Sequence, residues 1–223
     1  MEDKKIKTKI SRPKLSKDLD TIELFIEDVE DEAIFSSGKI TDCFIRDCEA
    51  NRIYFKQVIF ENVTFSEIAF KHVEMMDVRF ENCDLSNVDF SEASLHRVEF
   101  INCKIIGINL NEAILREVIF ENCNGQYSFF SYSNCKQVAF FACQLRFSDF
   151  KSSTFSRVEF QECNLVNSQL NFINLKDIDF TTCDIEGIGV NIADLKGVIV
   201  NNMQALSLSR ILGITIKEEE TDY

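Results

Sequence analysis

The sequence predicts an all-β fold, a right-handed quadrilateral parallel β-helix, and three observations support this prediction. From Phe35 to Ala205, every fifth residue is apolar except Gly125. The residue two places before each of these positions is never charged. A longer period of twenty residues places Phe at seven equally spaced positions from Phe60 to Phe180. An α-helix repeats every 3.6 residues and a flat strand every two, so these periods indicate a solenoid.

Twenty residues then form one coil with four sides of five residues each. Extended backbone alternates, so the apolar residue and the residue two places before it face the same way, into the core. The two residues that follow are mostly polar and form the corner to the next side. With coils stacked about 4.8 Å apart, about nine coils give a rod roughly 40 Å long. Outward Asn side chains at Asn62, Asn82, Asn102 and Asn122 are expected to hydrogen-bond from coil to coil.

The repeat divides the chain into segments. We expect a flexible basic arm at 1–19, a cap strand at 20–34, the β-helix at 35–200, a C-terminal helix with a short strand at 201–216, and an acidic tail at 217–223. Asn202 is the predicted N-cap of an amphipathic helix, Gly213 its C-cap, and 214–216 the short strand. The helix is expected to cover the last coil, because an open solenoid end exposes unpaired backbone.

Residue types that carry catalysis are not arranged for it. Six of the nine Cys form an inward row of period twenty from Cys83 to Cys183, which is typical of small core residues rather than of converging metal ligands. His72 and His96 are isolated, and the sequence has no phosphate-binding loop or nucleophile motif. We therefore expect a protein that is not an enzyme and needs no cofactor. Without a membrane-spanning stretch or a signal peptide, it is expected to be cytoplasmic.

Net charge is the compositional clue to a partner. The chain carries −13, but residues 36–216 contribute only −7. Duplex DNA carries one charge per about 1.7 Å, so a coil of about 4.8 Å would need nearly three to match it. The rod averages less than one negative charge per coil, which excludes imitation of DNA over its whole surface. Acidic residues are instead concentrated around the Phe row, opposed there by Arg79 alone: Glu61, Glu81, Glu99, Glu121, Glu159, Glu162 and Asp179.

This acidic face is a candidate surface for a basic groove on a partner, although charged corners also serve solubility. A second candidate lies in the middle of the rod, where Gly125 and Cys135 replace large inward residues. Outward aromatic residues there either tuck in to compensate or form a patch for a partner, and we favour the patch. Its members are Tyr127, Phe129 and Phe147, with Tyr132 and Phe141 nearby.

Several pentads resemble the A(D/N)Lxx consensus of pentapeptide-repeat proteins, among them Cys83-Asp84-Leu85-Ser86-Asn87 and Ala193-Asp194-Leu195-Lys196-Gly197. The length and the tail from Gln204-Ala205-Leu206 to Leu212-Gly213-Ile214 resemble the Qnr and MfpA branch. The register never slips, so the chain is similar to the loop-less members. This resemblance implies a DNA mimic that binds DNA gyrase or topoisomerase IV and confers quinolone resistance. It also implies a homodimer, with Leu208, Ile211 and Leu212 as the expected contact.

We therefore interpret the chain as a non-enzymatic binding protein whose partner is a type II topoisomerase. The alternative is a generic repeat scaffold or adaptor that binds another protein and has no effect on topoisomerases. Neither interpretation requires direct contact with nucleic acid or with a membrane. A continuous acidic face favours the first interpretation, and a dominant aromatic patch favours the second.

Overall fold

A computed structural model describes residues 9–23, 29–215 and 217. Its regular elements, in chain order, are β1 (Asp20–Thr21), β2 (Ile34–Thr41), β3 (Phe44–Asn51), β4 (Tyr54–Glu61), β5 (Thr64–Lys71), β6 (Glu74–Glu81), β7 (Ser94–Ile101), β8 (Ile114–Glu121), β9 (Asn134–Phe141), β10 (Thr154–Gln161) and α1 (Asn202–Ser209). Short 3₁₀ turns cover Ile192–Leu195 and Arg210–Leu212. No helix among the described residues is long and apolar enough to cross a membrane.

The strands wind into the predicted quadrilateral parallel β-helix. Two adjacent sides are formed by an eight-stranded parallel sheet in the order β1-β2-β4-β6-β7-β8-β9-β10. The other two sides begin with β3 paired to β5 and continue as single bridges such as Thr64–Asp84 and Asp84–Lys104. Residues twenty apart are partners throughout, as in Phe80 opposite Phe100. Each coil is therefore one twenty-residue repeat, as the longer sequence period predicts.

Corners recur every five residues as a left-handed backbone position. Gln57, Asp77, Glu117 and Gln137 have φ between 54° and 58°, and most other corners are similar. Left-handed backbone is strained for most L-residues and is tolerated best by Gly, Asn and Asp. Asn therefore suits the outward corner row, where Asn102 Nδ2 donates to Asn82 Oδ1 and Asn122 Nδ2 to Asn102 Oδ1, both at 3.3 Å. The predicted coil-to-coil amide bonds are thus confirmed for Asn82, Asn102 and Asn122, whereas Asn62 donates to Asp42 Oδ1 at 2.9 Å.

The core is a stack of aromatic rings. Of the fifteen Phe at the five-residue positions, thirteen are buried, and Phe35 and Phe155 are half-buried. Ring centroids of Phe80, Phe100 and Phe120 follow one another at 4.9 and 4.8 Å with nearly parallel planes. This spacing equals the distance between hydrogen-bonded strands, so each ring lies directly on the ring of the next coil.

The missing side chain at Gly125 is replaced by its neighbours along the rod. A Cβ placed there would lie 3.0 Å from Leu145 Cδ2 and 3.2 Å from Ile105 Cδ1, so the space is already filled. Buried Ser128 completes the site by donating its hydroxyl to the Gly125 carbonyl at 2.7 Å. Compensation by inward aromatic rings is therefore not needed.

The cysteine row belongs to the core, as predicted. Cys83, Cys103, Cys123, Cys143, Cys163 and Cys183 are buried free thiols. Cys103 and Cys123, for example, donate their thiols to the carbonyls of Phe80 and Phe100 at 3.5 and 3.3 Å. Burial raises the pKa of Cys135 to about 12, which keeps that thiol neutral. Among the described residues, no group of side chains could hold a metal ion.

The C-terminal end differs from its prediction in detail. Asn201, not Asn202, is the N-cap of α1 and accepts a bond from the Gln204 amide at 3.0 Å. The helix buries no apolar row; instead Gln204 Nε2 donates to the carbonyls of Phe180 and Cys183, each at 2.8 Å. Residues 201–209 do not continue the coil, so the polar Gln204 side chain closes this end of the rod. Gly213 is left-handed as expected, and 214–215 form no strand.

At the other end, β1 pairs in parallel with β2, so that Asp20 lies opposite Gly38 and Thr21 opposite Lys39. Ile22 packs against the core beside this pairing, and Val29 is buried. The remainder of the predicted cap strand, 24–28, lies outside the described residues, as do 1–8, Ile216 and the tail from 218 to 223.

Candidate functional site

The acidic face lies on the outer surface of the eight-stranded sheet. Glu61 pairs in register with Glu81, and the same row continues through Ile101 to Glu121. The neighbouring row runs from Glu99 through Ile119 and Ala139 to Glu159. The sheet therefore brings Glu61, Glu81, Glu99 and Glu121 together, while Glu159, Glu162 and Asp179 form a separate group farther along the rod.

Cations compensate much of the first group. Lys39 forms an ion pair with Glu61, and this hydrogen bond raises the pKa of the lysine. Arg79, the neutralising residue that the sequence predicted, donates from Nε and Nη2 to Glu99 Oε2, both at 2.9 Å. The sequence pattern missed Lys39, which reaches the row from the preceding coil.

A larger compensation comes from the N-terminal arm, which does not have the structure that the sequence predicted. Residues 9–19 were expected to be flexible because they lack periodicity. They lie instead along the corner at the edge of the acidic face, and we call residues 9–21 the strap. Gln137 Nε2 donates to the Lys9 carbonyl at 3.3 Å, and Gln57 Nε2 donates to the Lys14 carbonyl at 3.0 Å. Residues 9–14 of the strap therefore run against the winding direction and span five coils.

Two carboxylates of the same corner row hold the strap between these points. Asp77 Oδ1 accepts the Lys14 amide at 2.8 Å, and Glu117 Oε1 accepts the Ser11 hydroxyl at 2.5 Å. The Ser11 bond is the largest influence that lowers the pKa of Glu117. At Asp77, burial opposes ionisation most strongly, but bonds from Arg97 and Lys14 together lower the pKa. Both carboxylates are thus held ionised against the strap.

Arg12 carries the charge of the strap onto the face itself. Its Nη1 lies 3.1 Å from Glu99 Oε1 and its Nη2 3.8 Å from Glu121 Oε2. Glu99 is only 1 % exposed although its position faces outward, and the outward Ile119 and Ala139 are buried as well. Because the strap crosses these coils, we attribute their burial to it. A signal for this contact exists in the sequence, since residues 9–17 contain four basic and no acidic residues.

The aromatic patch is exposed. Tyr127, Phe129 and Phe147 are 53, 43 and 40 % exposed, so the outward alternative holds. Tyr127 and Phe147 stack at 5.1 Å with planes 6° apart, and Arg146 lies 5.7 Å from the Phe147 ring. Tyr132 and Phe172 are also exposed, whereas Phe141 is half-buried. The chain therefore presents a rigid aromatic surface on a different side of the rod from the strap.

The three predicted dimer residues do not share one face. Leu208 packs back against the core, whereas Ile211 and Leu212 are exposed. Other exposed apolar residues accompany them, namely Met203, Leu206 and Ile214. The sequence pattern missed these because it assigned the apolar side of α1 to the last coil, where Gln204 lies instead.

No curated protein matches the chain. Among solved structures, a trypsin-treated form of QnrB1, a plasmid-mediated fluoroquinolone resistance protein, is similar with 20 % identity and a TM-score of 0.45. That match covers 84 % of this chain and 95 % of QnrB1. HetL, a protein involved in heterocyst differentiation regulation from the cyanobacterium Nostoc sp. strain PCC 7120, is similar with 15 % identity and a TM-score of 0.45, covering 77 % of this chain and 91 % of HetL.

The repeat itself provides the assignment. The family model described as a pentapeptide repeat region matches residues 53–100 and 93–170. Together these stretches span more than half of the chain, and they coincide with the coils whose rings and thiols form the core. The chain therefore belongs to the pentapeptide repeat family.

Proposed function

We propose that this protein is a non-enzymatic, cytoplasmic binding protein that engages DNA gyrase or topoisomerase IV through its acidic face, as a partial mimic of DNA. One observation carries the proposal: the face already holds a basic side chain of its own chain, Arg12 of the strap, which pairs with Glu99 and Glu121. The resemblance of the tail to the Qnr and MfpA branch supports the choice of partner. Protection from quinolones is part of the same proposal.

The geometry suits a basic groove better than it suits a copy of the whole duplex. Glu61 and Glu81 lie on neighbouring coils about 4.8 Å apart, and Glu121 follows two coils later in the same row. Such a row can meet Lys and Arg side chains that normally contact phosphates. Its attraction should weaken steeply with salt, because exposed charges are screened beyond about 8 Å at physiological ionic strength.

The test is a gyrase supercoiling assay titrated with the protein, with and without ciprofloxacin. We expect inhibition of supercoiling and restored activity in the presence of the drug. The variant Glu61→Lys/Glu81→Lys/Glu121→Lys should lose at least about tenfold in affinity, because reversed rim charges repel a basic groove. Glu99 is left unchanged because it is buried.

The matched control is Glu67→Lys/Glu112→Lys/Glu186→Lys, which changes the net charge equally at exposed positions on other sides of the rod. The control should keep the affinity of the unmodified protein. Equal loss in both variants would show a general charge effect rather than a specific face. If neither gyrase nor topoisomerase IV binds at low salt, the proposed function is wrong.

The exposed aromatic patch supports a second candidate, an adaptor that binds another protein and leaves topoisomerases unaffected. Stacked, half-exposed rings beside Arg146 have the composition of a protein-binding centre. Tyr127→Ala/Phe147→Ala would then abolish binding to the partner, whereas the acidic-face variant would not.

We also propose a homodimer through the C-terminal end, where Ile211 and Leu212 are exposed among other apolar side chains. A second copy would cover this apolar cluster. Light scattering should give twice the chain mass of 25.7 kDa, and Ile211→Glu/Leu212→Glu should give the single mass. A single chain mass for the unmodified protein would contradict the dimer.

A further inference from the structure

The strap lies across the coils as an extended peptide ligand would. Between Lys9 and Lys14 it passes from the coil of Gln137 to a point between those of Gln57 and Asp77. That distance is three to four coils, or about 14–19 Å, and five extended residues span about 17 Å. The segment is therefore nearly fully extended across the stacked strands.

Between Lys9 and Lys17 the strap is held by a few polar bonds and by its cover over the outward Ile119 and Ala139. Backbone atoms of Lys9 and Lys14, the hydroxyl of Ser11 and the guanidinium of Arg12 supply the bonds to the corner row and face. The side chains of Lys9, Lys14 and Lys17 are exposed. By contrast, coils are joined by continuous strand pairing and stacked rings. Residues 9–17 are thus held by fewer bonds than the coils they cover, while Asp20 and Thr21 anchor the strap through their pairing with β2.

The strap and a basic partner would use the same carboxylates. Arg12 occupies Glu99 and Glu121, and Glu99 is buried while the strap is in place. A cationic segment from another protein would find these groups already paired. Its binding would therefore be reduced by the free energy needed to release the strap.

We propose that residues 9–21 form an autoinhibitory strap, which masks the acidic face of the unbound protein and which a partner with a basic segment must displace. This inference rests on the proposed use of the acidic face. It adds that the free protein is a masked form and that the N-terminal segment sets its affinity for any partner at this face.

The test uses the full-length chain with Arg12→Glu, which places a third carboxylate beside Glu99 and Glu121 and should release the strap. The control is Lys17→Glu, which makes the same charge change on the same segment at an exposed side chain with no ion pair among the described residues. The probe is a synthetic peptide of residues 9–21, measured by fluorescence anisotropy. Arg12→Glu should bind it at least about tenfold more tightly than the unmodified protein or the control, because its site is vacant.

A second measurement on the same proteins is hydrogen exchange at the backbone amide of Lys14, which donates to Asp77. It should lose protection in Arg12→Glu and keep it in the control. Equal peptide affinity in all three proteins, or unchanged exchange at Lys14, would overturn the strap. Gyrase should also bind Arg12→Glu more tightly than the unmodified protein. If gyrase does not bind but the peptide binds as expected, the proposed function is wrong and the autoinhibitory strap is still supported.

Discussion

Phe120→Asp should leave the protein unfolded at room temperature. The Phe120 ring is fully buried between those of Phe100 and Phe140, each 4.8 Å away, with Phe130 against its edge. Removing a buried Phe costs about 3–5 kcal/mol, and an unpaired charge in a dry core adds several more. This sum is comparable to the whole stability of a typical domain, about 5–15 kcal/mol. Circular dichroism should show loss of the β signal and of the cooperative thermal transition.

Ile114→Asp provides the matched control for this change. Ile114 lies in the same strand, β8, but its side chain is 41 % exposed. The same aspartate there remains in water, so the melting temperature should stay within a few degrees of the unmodified value. Similar melting temperatures for the two variants would refute the inward orientation of the Phe row.

Glu99→Lys should lower the free energy of unfolding by about 3 kcal/mol, because it replaces a buried, paired carboxylate by an unpaired ammonium. The new ammonium would lie against Arg79 and Arg12, the two cations that now pair with the carboxylate. Glu99 is 1 % exposed, so an ammonium at this position would lose most of its hydration. Urea denaturation followed by fluorescence or circular dichroism would measure the loss as a lower midpoint.

Glu81→Lys is the comparison for Glu99, since it reverses the same charge in the same sheet at a half-buried position. Its cost should stay below about 1 kcal/mol. Glu99→Gln should fall between the two, because it keeps the shape and removes only the charge. If Glu99→Lys were as mild as Glu81→Lys, the burial of this carboxylate beneath the strap would be wrong.

The sequence predicts the rod well because the rod is made of local repetition. In the row from Phe60 to Phe180 each ring meets another Phe twenty residues later, so a pattern along the chain is also a pattern in space. The same reasoning placed Tyr127 directly above Phe147, and the stacked rings confirm it. Where every coil contacts only its neighbours, the repeat period and the residue types are sufficient to predict the packing.

The repeat pattern does not predict the strap or the two ends of the rod, because their contacts do not repeat. Arg12 meets Glu99 through tertiary placement alone, and nothing near residue 12 indicates which coil it will reach. At the C-terminus, apolar spacing predicts an amphipathic helix, whereas the structure places Gln204 against the rod, where it donates to the carbonyls of Phe180 and Cys183. Buried backbone carbonyls need hydrogen-bond donors whatever the sequence period is. This requirement therefore decides which side of the helix faces the rod, and the spacing of apolar residues does not.

The strap also fixes an order of folding. Its bonds to Glu117 and Gln137 close sequence separations of 106 and 128 residues, whereas neighbouring coils close only 20. Loop closure over the longer distance costs about 1.5 kcal/mol more, and its docking site requires that the coil of Gln137 already be wound. On a ribosome, residues 9–11 can therefore dock only after the coils that carry Glu61, Glu81 and Glu121 have formed. The nascent rod passes through an unmasked form that the finished protein conceals.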